Sequence, residues 1–292
     1  MATILKMDKR LETIVGLCDK NKVIADIGCD HGLVTAELIL EEIADTVIAT
    51  EISADCLNKA IMLANRINIW PYVSFRECDG FKLVTKYDKV NQAVIAGLGG
   101  KKMIEILEHK PRNLHNFVLN PMSDVIEVRK YLLTHKYRFV VDKLIKVDDK
   151  YYNIMKVTRG RQKLSPLEIF FGFSNFIDNY QDFYEYLKLN YDKLSKLKER
   201  FGELNEKNEK ALKYIEKALS LFESPQENSK DDSSENNQTE KVENNAENTN
   251  KENVDAENKQ VENQVAENSA ENNNVENNVN SNSENNNDNG VK

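Results

Sequence analysis

The sequence predicts a doubly wound α/β sheet followed by an antiparallel helical hairpin and an acidic tail. Three observations predict it. Across residues 22–134, short β-branched runs alternate with segments of helical periodicity. From Phe173 onward, apolar residues recur on steps of three and four. After Pro225 the composition changes altogether, which separates residues 1–163, 164–224 and 225–292 as three expected regions.

Residues 22–27 (KVIADI), 46–51 (TVIATE), 73–77 (VSFRE), 92–96 (QAVIA) and 116–119 (NFVL) read as strands of a buried parallel sheet, whose members are near-continuous apolar runs. Between them, residues 33–44 and 57–67 carry apolar positions at helical spacing, as in Leu57, Ala60, Ile61 and Ala64. Ser53 and Ser123 stand where helix N-caps are expected. Strict alternation of strand and helix implies crossover helices on both faces of one sheet. Residues 138–146 and 151–157, separated by the polar turn VDDK, read as an antiparallel hairpin closing one edge.

Phe173, Phe176, Tyr180, Phe183, Leu187, Leu194, Leu197, Phe201 and Leu204 form a heptad seam, interrupted at Asn190. Ala211, Ile215, Ala218 and Phe222 resume it after the segment FGELNEKNEK. A monomeric chain zipping its own hairpin is the simplest arrangement. An intermolecular coiled coil competes with it, because a seam does not name its partner.

Residues 225–292 hold 22 Asn and no Leu, Ile, Met, Phe, Tyr, Trp or Cys. With five Lys against sixteen Asp and Glu they carry −11, which leaves +3 on residues 1–224 out of a total of −8. A segment with so little to bury cannot offset the entropy of ordering itself, so disorder is expected there. No apolar run approaches the roughly 18 residues of a membrane span, and the N-terminus lacks an apolar signal core. A cytoplasmic chain follows as the expectation. Cys18, Cys29, Cys56 and Cys78 are scattered, with no CxxC among them and four dispersed His, so neither a metal site nor a disulfide framework is expected.

The chemistry concentrates at strand ends. ADIGCDHGL, residues 25–33, runs from the first strand through a glycine turn into a helix. Asp26 closes that strand, and Gly28 lets a ligand approach the backbone. Asp30 would repel a pyrophosphate, which argues against a dinucleotide. S-adenosylmethionine, cationic and without phosphate, is the better electrostatic match. Glu51 ends the second strand, where a carboxylate can accept both hydroxyls of a ribose. Asp79 and Gly80 end the third, offering a partner for an adenine amino group and space for its ring. Gly97, within AGLGG after strand four, suggests either close packing of backbone on a ligand or a flexible pocket wall, with a simple tight turn as the competing role. Asn120-Pro121 places an amide that both donates and accepts after strand five.

Six motifs, KRLETIV (9–15), DIGCDHG (26–32), the strand-ending Glu51, CDG (78–80), IAGLGG (95–100) and LNP (119–121), resemble in order and spacing the bacterial tRNA adenine-22 N1-methyltransferases. The helical appendage is similar too, so the resemblance spans roughly residues 6–222. It implies a class I methyltransferase fold of Rossmann-like type, S-adenosylmethionine as donor and tRNA as substrate. The chain departs from the family at Asn120-Pro121-Met122, where members often have Gln-Pro-Asn.

Adenine N1 carries a lone pair and no proton, so its methylation needs positioning and stabilisation of developing positive charge rather than a general base. Asp30 and Asn120 are the expected groups at that spot, with His31 beside them. The competing role for Asp30 is a helix N-cap. Arg10 is expected against either the cofactor carboxylate or the RNA, with a surface ion pair as the competing role. Lys101, Lys102, Arg159, Arg161, Lys156, Lys163 and the hairpin cations Lys193, Lys196, Lys198 and Arg200 are candidate phosphate contacts.

Two other readings stand beside this one. The first is a class I methyltransferase acting on a small molecule, a protein or another nucleic-acid position. The second is a noncatalytic interaction protein working through its seam and tail.

Overall fold

A computed structural model describes residues 7–178 and 180–223. The expectation of a disordered tail falls on residues 225–292, outside the described residues. The described chain runs α1 (Lys9–Gly16), β1 (Asn21–Ile27), α2 (Leu33–Leu40), β2 (Ala44–Glu51), α3 (Ala54–Arg66), β3 (Val73–Glu77), β4 (Gln92–Leu98), α4 (Gly100–Glu108), β5 (Phe117–Pro121), α5 (Val125–Thr134), β6 (Tyr137–Val147), β7 (Lys150–Arg159), α6 (Pro166–Phe171), α7 (Tyr180–Phe201) and α8 (Glu206–Glu223).

The seven strands form one sheet in the order β3-β2-β1-β4-β5-β7-β6. β1 to β5 are mutually parallel, and β7 is antiparallel to both β5 and β6. The strand order reverses between β1 and β4, and a doubly wound sheet opens its ligand crevice at the carboxyl ends beside such a switch. Ile24, Ala25, Ile27, Ala93, Val94 and Ile95 are buried, which accounts for the apolar runs of the central strands.

Three elements depart from the sequence-based reading. The helix expected over residues 33–44, α2, ends at Leu40, because Glu42 turns into left-handed backbone (φ 53°) and Ala44 already pairs with Asn21 in the sheet. Ser53 does cap α3, accepting from the Cys56 N–H at 3.3 Å. Ser123 does not cap α5: Asp124 holds that position with φ 49°, and the Ser123 hydroxyl donates to Asp124 Oδ2. The seam is not one helix from Phe173. Phe173–Phe176 is a 3-10 turn, and Phe201 is exposed at the end of α7.

α7 and α8 run antiparallel. Phe183 near the start of α7 meets Phe222 near the end of α8, while Lys198 reaches Glu209 at 3.4 Å across the other end. The pair packs with α6 onto the outer strand β6 through Leu144, Leu167, Phe171, Phe183, Leu187, Ile215 and Ala218. The same segment also covers the edge of the sheet. The N–H groups of Asp142, Leu144 and Lys146, two residues apart on β6, donate to Ser174 Oγ, Asn175 Oδ1 and Asp182 Oδ2 at 2.8–3.0 Å. These side chains substitute for a missing neighbour strand and block edge-to-edge pairing. Among the described residues, no helix is long and apolar enough to cross a membrane.

Candidate active site

The carboxyl ends of β1, β2 and β4 border a cavity of about 560 Å³. Its floor is the turn after β1. The Gly28 and Cys29 N–H groups both donate to Thr50 O, at 2.8 and 2.9 Å, which ties this turn to β2. Gly28 has φ 73° with only an ordinary contact to Leu98 where a Cβ would stand, so backbone conformation rather than space requires glycine. At Gly32 (φ 78°) a Cβ would meet the Ala60 Cβ at 2.8 Å, so this glycine also lets α3 pack closely.

Glu51 is held from three sides. Its carboxylate accepts from the N–H groups of Asp30 (3.1 Å), Ile52 (2.9 Å) and Ser53 (3.0 Å). A carboxylate has about four acceptor positions, so capacity remains for a ligand hydroxyl. Asp26 lies behind it, buried, with Oδ2 accepting from the Thr35 hydroxyl at 2.7 Å. Burial pushes the Asp26 carboxyl up to about 6, against the pull of the Thr35 hydrogen bonds and with a smaller push from Glu51. Asp79 lies across the cavity with Gly80, paired to Lys102 and Lys82 at 3.1 Å each; these partners hold its carboxyl below the usual range. Gly97 has φ 78° and open space around it, at an irregularity in the β4–β5 register.

Asp30 and His31 form the mouth. Asp30 adopts left-handed backbone (φ 49°), leaves its side chain 66 % exposed and meets His31 Nδ1 at 3.2 Å. It is not a cap, since Gly32 occupies the N-cap of α2 and no side chain bonds there. His31 Nε2 lies 3.2 Å from Lys59 Nζ.

Asn120 differs from its expected role. It is fully buried and both ends of its amide are engaged: Nδ2 donates to Asn153 O at 2.9 Å and Oδ1 accepts from Arg10 Nη1 at 3.0 Å. It therefore faces Arg10 rather than the cavity. Arg10 does line the cavity, with its guanidinium 5.5 Å from the Tyr152 ring centroid and its Nε 3.7 Å from Asp8.

Lys102 lines the cavity, whereas the exposed Lys101 does not. Arg159 and Arg161 are not brought to it. β7 is antiparallel, so Val157 pairs with Phe117 at the start of β5 and Arg159 lies still farther toward the amino edge, beside His115. Asp8, Met122 and Tyr152 line the cavity without having been anticipated. Only α1 offered a signal, since Asp8 caps that helix through the Leu11 N–H at 2.8 Å, a pattern readable as Asp before KRLE.

The four cysteines are free, and burial raises the thiol of Cys18 to about 12. Asp30, His31 and Cys56 bring potential metal-ligating atoms within 4.8 Å of one another. They are largely exposed, and the Lys59 ammonium already stands against the imidazole, so this cluster supports no metal assignment.

A methyltransferase domain model matches residues 7–155, a stretch that contains every residue lining the cavity. A Mycoplasma pneumoniae protein named "Putative tRNA methyltransferase" is 32% identical over 165 residues, covering 55% of this chain and 76% of that protein. The Bacillus subtilis tRNA (adenine(22)-N(1))-methyltransferase is 27% identical over 159 residues, covering 53% and 66%. The solved structure of M. capricolum TrmK in complex with S-adenosyl-homocysteine superposes with a TM-score of 0.67 at 22% identity, covering 74% of this chain and 98% of that one.

Proposed function

The chain belongs to the methyltransferase domain family matched across residues 7–155, and we propose that it methylates N1 of adenine 22 in tRNA with S-adenosylmethionine as donor. The observation that carries this reading is the cavity at the strand-order switch, where Glu51, Asp79 and Asp30 present carboxylates and the two lining cations, Arg10 and Lys102, are already engaged by Asn120 and Asp79. Motif resemblance and the named relatives supply the nucleotide position.

The residues present fit the donor. Glu51, fixed by three backbone N–H groups, keeps acceptor capacity for ribose hydroxyls. Gly80, with φ 58°, already brings Ile106 within 3.1 Å of a built Cβ, so any side chain there would crowd the wall beside Asp79. The open space at Gly97 leaves the β4 end accessible. Arg10 is the cation available to a carboxylate or to an RNA phosphate at the α1 side. When bound, S-adenosylmethionine supplies a methyl group whose sulfur departs with the bonding pair.

The chain's own contribution is placement and charge. Adenine N1 attacks through a lone pair, so no proton need leave it, and none of these groups is required as a base. Positive charge grows on the ring as the new bond forms. Asp30, exposed at the mouth and backed by His31, is the carboxylate placed to face that charge and to accept from the exocyclic amine. Asn120 acts at one remove, by holding Arg10. The exposed Lys101 and the hairpin cations Lys193 and Lys196 extend the surface available to phosphates, and the reaction belongs in the cytoplasm with its tRNA substrate.

Incubating the full chain with S-adenosylmethionine and an unmodified tRNA transcript, then mapping the product nucleoside, tests the reading. 1-Methyladenosine at position 22 is expected. Methylation elsewhere, or none with a folded protein that binds the donor, would overturn it.

A further inference from the structure

A second hollow, of about 310 Å³, adjoins the cavity at the carboxyl end of β5. Pro121 and Met122, Val125 at the start of α5, and Lys150, Tyr151 and Tyr152 at the start of β7 line it. It exists because β7 runs antiparallel: the strand that pairs with β5 begins at the sheet edge where β5 ends. Met122 and Tyr152 line both spaces and form their common rim.

We propose that this second hollow receives the purine ring of the target nucleotide, with Tyr152 as its stacking surface and Met122 as the apolar lip across which N1 faces the donor. The proposal rests on the reading of the chain as a tRNA adenine methyltransferase. It is argued from four features. The hollow is at the lower end of the roughly 300–1,000 Å³ that ligand pockets span, suited to one base rather than a whole nucleotide. Among the described residues, Tyr152 is the only Phe, Tyr or Trp lining the main cavity, and it lines the second hollow as well, which places its ring between donor and acceptor.

The third feature is Met122, which remains 50 % exposed. An exposed thioether at a pocket rim contributes little to the fold but much to contact with a base. The fourth is rigidity. Arg10, fixed by Asn120, stands over the Tyr152 ring, and Tyr151 packs edge-on against Tyr186 of α7 with centroids 5.2 Å apart. Both aromatic walls are thus positioned before substrate arrives, one by α1 and the other by the helical hairpin. Lys150 places an ammonium at the outer side, where the sugar-phosphate of an extruded nucleotide would pass.

The test uses the full chain and a tRNA transcript carrying 2-aminopurine at position 22, without donor, alongside steady-state kinetics on the adenine transcript. Binding to the wild type unstacks the probe from the tRNA and restacks it on Tyr152. A Tyr152→Leu complex, which lacks that ring, is expected to be brighter than the wild-type complex. Its kcat/KM for tRNA should fall about tenfold or more, since stacking on an aromatic ring contributes roughly 1–3 kcal/mol per base. Tyr152→Phe should recover most of that loss, and Met122→Ala, at an exposed position that folding does not need, should show the same pattern more weakly. If the wild type methylates adenine 22 while both Tyr152→Leu and Met122→Ala keep wild-type kcat/KM and probe emission, the second hollow is not the base site. If the wild type does not methylate adenine 22, the functional reading itself fails, which is a different result.

Discussion

Arg10 and Asn120, 110 positions apart, are joined by a 3.0 Å hydrogen bond from the guanidinium Nη1 to the amide oxygen. The amide nitrogen donates in turn to Asn153 O, and the Asn153 side chain accepts from Arg129 Nη2 at 3.0 Å. Arg129 is fully buried, bidentate to Asp142 and donating also to the carbonyls of Phe170 and Phe171 at the end of α6. One polar chain therefore links the cavity wall at α1, the centre of the sheet and the helices that follow it.

If Asn120 works through Arg10, the two should not add. Asn120→Ala and Arg10→Ala are each expected to lower kcat/KM, and the double variant to be scarcely worse than Arg10→Ala. Full additivity in that double-mutant cycle would place Asn120 in a separate role. Asn120→Ala should also cost roughly 1–3 kcal/mol of stability, because it removes the amide that donates to the half-buried Asn153 carbonyl and accepts from Arg10.

Asp30 tolerates replacement by Asn, which retains the left-handed backbone and the N–H that Glu51 accepts. Asp30→Asn should therefore leave donor affinity within about twofold. Losing the charge should reduce kcat at least about tenfold, equivalent to ~1.4 kcal/mol of transition-state stabilisation. Calorimetry with the donor and single-turnover methylation separate the two effects; an unchanged turnover would remove Asp30 from the chemistry.

Asp26 makes stability depend on pH. Its folded carboxyl titrates near 6, above the roughly 3.9 of an unfolded chain, so the folded state holds the extra proton between these values. That contribution is complete below about pH 4 and is lost as the pH rises through 6. Asp26→Asn keeps an acceptor for the Thr35 hydroxyl and never ionises. The donor-free variant should be more stable than wild type by on the order of 2–3 kcal/mol at pH 8, and close to it at pH 4.5. Denaturant midpoints at both values check this, and an equal difference at each pH would contradict it.

The Arg129–Asp142 pair is buried at both ends, with 2.8 Å between Nε and Oδ2. Arg129→Met leaves Asp142 charged and alone and frees three carbonyls, so it should lose about 3–5 kcal/mol in urea unfolding. Arg129→Met with Asp142→Leu should recover part of that loss. A double variant no more stable than the single one would show that the carbonyl contacts, not the stranded charge, dominate. Deletion of residues 173–222 would be a poor probe of RNA binding, because it would remove Ser174, Asn175 and Asp182 and so uncover the edge of β6. Charge reversal at the exposed Lys193 and Lys196 is the cleaner choice.

Much of the fold was legible because parallel strands buried on both faces leave long β-branched runs, as at KVIADI and QAVIA, and because glycine turns must follow them. The motif residues Asp26, Gly28, Asp30, His31, Glu51, Asp79, Gly80 and Gly97 do converge on one cavity, since all sit at carboxyl ends of neighbouring strands. Helix α2 was read too long because apolar Ile43 and Ala44 fit a helical period as well as a strand start. The heptad steps from Phe173 were real, yet their first members turn toward the sheet, since a seam specifies an apolar face and not its partner.

By itself, then, the sequence determined which strand ends carry the chemistry, because a ligand edge needs glycine and carboxylate at adjacent local positions. Tertiary structure alone decided that Asn120 is buried behind Arg10, that Arg159 lies at the opposite edge, and that Met122 meets Tyr152. Each depends on β7 running antiparallel to β5, a pairing between residues 36 to 40 positions apart, as in Leu119 with Met155 and Phe117 with Val157. Strand direction is set by which surfaces the hairpin and the following helices can bury, and no local pattern records it.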